Sequence, residues 1–183
     1  MNLLKQFDRI IGVLERIWVL VAAAMMFTIM ISSTVDVGMR YVFNSPLGAL
    51  YDLISLYLMP GLFFFALSDT LRANEHVCVD LLHSAMTPRQ RHAALVVGYA
   101  LVTVIFAFMT WAAFSRMLES FRNDDVVAGS VAWPTWVASL FVTLGFALIW
   151  MRVVHRFLGH ALSALTGRSL IPLPPISGTQ EAV

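Results

Sequence analysis

Four long apolar runs separated by polar intervals dominate the chain: residues 17–35, 53–68, 93–115 and 126–151, of 19, 16, 23 and 26 residues. A bilayer core is crossed by about 20 helical residues rising about 1.5 Å each, so three runs are long enough and the second is marginal. The pattern predicts four spanning helices at about 17–39, 50–69, 93–116 and 134–154. The longest polar interval, residues 69–92, divides them into two helical hairpins. Within it Cys78, Leu81, Leu82 and Ala85 share one helical face while His76, Asp80 and His83 share another, the pattern of an amphipathic connector helix lying along an interface. Thr87-Pro88-Arg89-Gln90 then reads as a helix start, with threonine at the N-cap, proline at the first helical position and glutamine placed to close a capping box.

Taken in order, Phe7, Ile10, Ile11, Leu14 and Trp18 recur at helical spacing, with Lys5, Asp8, Arg9, Glu15 and Arg16 largely off that face. The first helix is therefore expected to begin as an amphipathic stretch at the membrane surface. Its apolar run continues well past the core of a signal peptide, which favours an uncleaved first span. Thr28, Ser32, Asp36 and Arg40 follow at i+4 steps as a polar stripe, on which Asp36 and Arg40 can pair. Asn44-Ser45-Pro46 supplies turn chemistry that reverses the chain. The second run is bracketed by Asp52 and Asp69, and Pro60 at its middle removes the i+4 donor for the Leu56 carbonyl, so a kink is expected there. Because that run is short, Asp52 is expected near the hydrocarbon edge, where it needs a partner, and Arg40 is the nearest cation along the chain.

Tyr99, Thr103, Ala107 and Thr110 line one side of the third helix, and Ser139, Thr143 and Ala147 one side of the fourth. Small and hydroxyl residues in such rows allow membrane helices to approach closely. Trp18 and Trp150 fall near one expected boundary and Trp111, Trp133 and Trp136 near the other, as an aromatic belt. Glu119, Arg122, Asp124 and Asp125 belong to a loop where charges are simply solvated. The expected organisation is a membrane domain over residues 1–167 and a flexible, proline-rich tail over 168–183.

Composition supports an all-α integral membrane protein: 59% of residues are hydrophobic and 13% charged, too few charges to cover a soluble globule. Charge also orients it. If the N-terminus is cytoplasmic, nine positives fall on that side (Lys5, Arg9, Arg16, Arg72, Arg89, Arg91, Arg152, Arg156 and Arg168) against three outside (Arg40, Arg116 and Arg122). The positive-inside rule then places both termini, and the connector, in the cytoplasm. The net charge of +1 gives no support for nucleic-acid binding, and the single Cys78 has no disulfide partner.

Signatures of chemistry are lacking: no phosphate-binding glycine loop, nucleophile elbow or paired-cysteine metal site, and no ionisable residue in the middle of a span. An ion-coupled carrier uses a charge or a broken helix at the midplane. The five histidines lie toward the cytoplasmic side, which speaks against a haem held at mid-membrane. His76, Asp80 and His83 share a face that could hold a metal, but a hydrated polar face is the simpler reading. Neither a cofactor nor an enzymatic activity is expected. The competing class is a small membrane-anchor or cytochrome-like subunit of a respiratory oxidoreductase.

Several segments carry a resemblance when read together: Arg40-Tyr-Val-Phe-Asn-Ser-Pro46 followed by Asp52, then Arg72-Ala-Asn-Glu-His76-Val-Cys-Val-Asp80, then Trp133-Pro134 opening a last helix that reaches Gly145 and Arg152. In order and spacing this resembles the DctQ-like small membrane subunit of tripartite ATP-independent periplasmic (TRAP) transporters, over about residues 5–158. The chain departs from the family pattern at Asp52, where glutamate is commoner, at Gly48-Ala49-Leu50, and at Val77. The resemblance implies a bacterial inner-membrane protein that scaffolds a large membrane subunit, with a periplasmic substrate-binding protein, in sodium-driven uptake of an organic acid. It also singles out Asp36, Arg40, Asp52, Arg72, His76 and Asp80 as candidate subunit contacts or structural polar residues.

Overall fold

A computed structural model describes residues 2–45, 47–73, 87–128 and 131–166. Most of the expected connector, including His76, Cys78, Asp80 and His83, lies outside the described residues, as does the tail 168–183. The elements are α1 (Asn2–Phe43), α2 (Gly48–Leu53), a π-helical turn (Ile54–Leu58), α3 (Met59–Arg72), α4 (Pro88–Arg122), a two-stranded ribbon of β1 (Val126–Val127) and β2 (Trp133–Pro134), and α5 (Thr135–Thr166). Among the described residues four stretches are long and apolar enough to cross a membrane: Gln6–Phe43, Gly48–Arg72, Gln90–Arg122 and Thr135–Thr166.

Each stretch outruns the span expected from its apolar run. The marginal second run is a continuous 25-residue helical stretch, because Leu47, Leu50 and Tyr51 extend it before Asp52 and helical backbone continues through Asp69 to Arg72. α1 is one unbroken helix of 42 residues, about 60 Å long, rather than a surface stretch joined to a span. Its first turns pack along the last helix, with the Phe7 ring against His155 at 6.1 Å. Near Pro60 the backbone answers the missing donor by widening before the proline. The Met59 N–H reaches back five residues to the Ile54 carbonyl, and Pro60 follows at once in the first turn of α3. A π turn, Ile54–Leu58, stands just before the proline at which the kink was expected.

Cross-helix contacts fix the relative directions. α1 runs antiparallel to α3, with the Trp18 ring 4.1 Å from Phe65 and Met25 lying over Gly61. α4 runs antiparallel to α5, with Phe106 near Phe146, Phe121 near Trp136, and the Trp150 Nε1–H donating to the Thr103 carbonyl at 3.2 Å. α5 touches α1, α3 and α4 and contributes much of the core, including Leu148, Ile149 and Val153. α3 and α5 pack tightly at Gly145, where an added Cβ would lie 2.5 Å from the Phe64 carbonyl oxygen. The hydroxyls of Thr103, Thr110, Ser139 and Thr143 donate to carbonyls of their own helices, so those rows present small surfaces rather than cross-helix bonds.

The α4 start follows the expected motif: the Thr87 N–H and hydroxyl both donate to Gln90 Oε1 at 2.9 Å, with Pro88 at the first position. The start of α5 differs from expectation. Trp133-Pro134 does not open the helix but pairs with Val126–Val127, and the helix begins at Thr135, whose N–H and hydroxyl donate to the Asp125 carbonyl. Tyr57 braces this ribbon by donating its hydroxyl to the Pro134 carbonyl at 2.7 Å and setting its ring edge-on to Trp133. Trp111 is 63% exposed, whereas Trp18, Trp133, Trp136 and Trp150 all pack against neighbours in the bundle.

Candidate functional site

Among the described residues, the ionisable side chains gather at the two ends of the bundle. At the end where α1 turns into α2, Arg40 donates to Asp36 Oδ2 at 2.9 Å, and the other carboxylate oxygen of Asp36 accepts the Leu47 N–H at 2.8 Å. Asp36 is therefore both an ion-pair partner and a pin for the loop. Asn44 takes a positive φ of 51° in that turn, a conformation asparagine tolerates better than most residues. Asp52 lies half-buried on α2, and among the described residues no ion pair joins it to Arg40. Arg40 is committed one turn back along its own helix because an i, i+4 pair needs no loop to be ordered. Tyr41, Val42, Phe43 and Tyr51 are strongly exposed around these charges.

The opposite end holds a buried ionic network. Glu15, which the helical pattern puts on the wet side of α1, is instead fully buried. Its Oε1 accepts from the Ser68 hydroxyl at 2.6 Å and from Arg152 Nε at 2.8 Å, while Oε2 pairs with Arg152 Nη2 and lies 3.6 Å from Arg72 Nε. The planar guanidinium thus meets the carboxylate as a fork, and its third nitrogen donates to Asp8 at 2.6 Å. The amphipathic reading of α1 misplaced Glu15 because it assumed water on that side; α5 arrives there with a cation that matches it. Arg72 is also held by Asp69, at 2.6 Å, and lies at the C-terminus of α3.

One turn along from Arg152, Arg156 donates to the carbonyls of Leu71 and Arg72 at 2.8 and 3.2 Å and to the Tyr99 hydroxyl at 3.2 Å. It supplies donors, and a positive charge, to the carbonyl end of α3. A further turn on, His160 meets His92 of α4, Nδ1 to Nδ1 at 3.0 Å, and stacks on Tyr99. Arg152, Arg156 and His160 form a ladder at i+4 steps on α5 that grips α1, α3 and α4 in turn.

Of the sequence candidates, Asp36 and Arg40 come together, Asp52 stays apart from them, and Arg72 joins the opposite network. His76 and Asp80 lie outside the described residues. Sequence reasoning passed over Asp8, Glu15, Ser68, His92, Arg152, Arg156 and His160. The i+4 spacing of Arg152, Arg156 and His160 was available as a signal, identical to that of the Thr28, Ser32, Asp36 and Arg40 stripe. In chemical terms the network is a clamp, since the Arg152 and Glu15 charges are used up on each other and their neighbours.

A search of curated proteins returns no match. A family model for the DctQ component of tripartite ATP-independent periplasmic transporters matches residues 29–162, which takes in the turn between α1 and α2, Arg72 and the whole Arg152, Arg156 and His160 ladder. With four helices able to cross a membrane and a match over most of its length, this multi-pass membrane chain belongs to the DctQ family, the small membrane component of TRAP transporters.

Proposed function

We propose that this chain is the scaffold beside the large TRAP membrane subunit, in sodium-driven, binding-protein-dependent uptake of an organic acid across the bacterial inner membrane. The observation that carries the reading is the commitment of charge: the described ionisable side chains lie at the ends of the bundle, and the buried ions at one end hold α1, α3 and α5 together. Such a body suits a fixed support better than a carrier, which needs polar groups at the midplane. The exposed end around Arg40, Asp52, Tyr41, Phe43 and Tyr51 is the surface we assign to the large subunit, because aromatic residues and arginine favour subunit contacts. Arg72, His76 and Asp80 are assigned to the opposite, cytoplasmic side.

Reconstitution tests this. Proteoliposomes holding the chain alone should show no sodium-driven organic-acid uptake, and uptake should appear once the large subunit and loaded binding protein are added. Asp52→Ala should reduce that uptake, whereas Asp124→Ala should leave it close to wild type. Uptake by the isolated chain would overturn the scaffold reading, and full uptake by the Asp52 variant would remove that residue from the contact.

We further propose two hairpins with both termini cytoplasmic, formed by residues 1–167. The excess of lysine and arginine at the ladder end supports this orientation. Reporter fusions after Arg91 and after Gly167 should read as cytoplasmic and one after Asp125 as periplasmic. A periplasmic reading after Arg91 would reject the layout.

A further inference from the structure

The His92 and His160 pair has no part in the scaffold reading and is built unlike the ionic network beside it. Both rings are buried, at 5% and 1% exposure, and their Nδ1 atoms face each other at 3.0 Å. A hydrogen bond between two imidazole nitrogens needs one N–H and one lone pair. The contact is therefore satisfied when both rings are neutral, or when one is charged and the other neutral. It cannot be made when both are charged, because two N–H groups then point at one another. We propose that this contact is a proton-operated latch between the start of α4 and the last turns of α5: closed while the two rings carry at most one charge, and released when both are protonated.

The surroundings favour release over accommodation of a second charge. From α4, the pair is faced by Tyr99, stacked on His160 with ring centroids 5.5 Å apart. From α5 it is approached by Arg156, a permanent cation bonded to that same Tyr99 hydroxyl. α3 presents to Arg156 the carbonyls of Leu71 and Arg72, and the side chain of Arg72 is turned to Asp69 and Glu15. The carboxylates of α1, Asp8 and Glu15, are engaged by Arg152 two turns away along α5. Among the described residues no carboxylate forms an ion pair with either ring of the pair. His92 directly precedes the apolar run 93–115, and His160 lies nine residues past the run 126–151. Since Tyr99 joins His160 to Arg156, and Arg156 holds the end of α3, opening the latch loosens the ladder's grip on two helices.

The test uses the full chain in lipid nanodiscs, with Cys78→Ser as background and spin labels on cysteines introduced at Ala93 and Leu165, both exposed. Acidification from about pH 7.5 to about pH 4, through and below the range in which an exposed histidine gains its second proton, should lengthen and broaden the measured distance distribution. His160→Asn and, separately, His92→Asn keep an amide able to hydrogen-bond the remaining ring but cannot accept the second proton. Each should hold the distance constant across the same interval, with His155 unchanged in both. A distance independent of pH in the parent chain would overturn the proposal, and so would an equal response in the two asparagine variants. Neither outcome bears on uptake by the assembled transporter, so the latch and the scaffold reading fail separately.

Discussion

Arg152→Ala should destabilise the folded chain by about 3 kcal/mol, the lower end of what breaking a buried ion pair costs. The variant leaves the fully buried Glu15 carboxylate with the Ser68 hydroxyl and with Arg72, whose Nε is 3.6 Å away, so the abandoned charge is only partly met. It also removes the Arg152 ion pair to Asp8, leaving that carboxylate 3.9 Å from His155 Nδ1 on α5. Glu15→Ala should cost less, since Arg152 keeps Asp8, and Asp8→Ala least, because that carboxylate is 55% exposed. Replacing both partners by apolar residues, Glu15→Leu with Arg152→Met, should be milder than the sum of Glu15→Leu and Arg152→Met, since it leaves no buried charge unpaired. Reversible unfolding in bicelles, followed across the singles and the double, gives the comparison. Strict additivity would show that the two side chains stabilise the bundle independently, contrary to the geometry.

Gly145→Ala should cost about 1–3 kcal/mol, the usual penalty of overpacking, and Gly145→Val more. The added Cβ would meet the Phe64 carbonyl oxygen at 2.5 Å and the Phe64 Cβ at 2.6 Å, so α3 and α5 must separate. Backbone cannot step aside as a side chain can. Gly61→Ala offers a graded comparison, because its nearest neighbour is the flexible end of Met25, with Sδ at 2.6 Å. Gly98→Ala is the control: nothing lies within 4 Å of its Cβ position, and alanine is the better helix former. The order of unfolding free energies should be Gly98→Ala highest, then Gly61→Ala, then Gly145→Ala. A Gly145→Ala variant as stable as Gly98→Ala would mean that the two helices are not locked at that crossing.

Much of the architecture was legible in the chain because the bilayer imposes a length and an apolar character on each span. The four apolar runs located the four helices, the Thr87-Pro88-Arg89-Gln90 motif located the start of α4, and the short motifs around Arg40, Arg72 and Trp133 pointed to the family that the match over residues 29–162 establishes. Local rules sufficed there, since spacing, caps and hydropathy act within a few residues. The i, i+4 pair of Asp36 and Arg40 was readable for the same reason.

Partners distant in sequence were decided only by the packing. Glu15 and Arg152 lie 137 positions apart, and nothing local distinguishes a glutamate that faces water from one that faces an arginine on another helix. The same holds for His92 and His160, 68 positions apart, and for Gly145, whose need for a missing Cβ comes from the Phe64 backbone of a different helix. Sequence by itself determined that four stretches can cross a membrane, about where each lies and which family they form, because those properties follow from local composition and short motifs. The tertiary structure decided which charges are buried, which remain available at the surface and where helices touch, because these depend on which face each helix turns toward its neighbours.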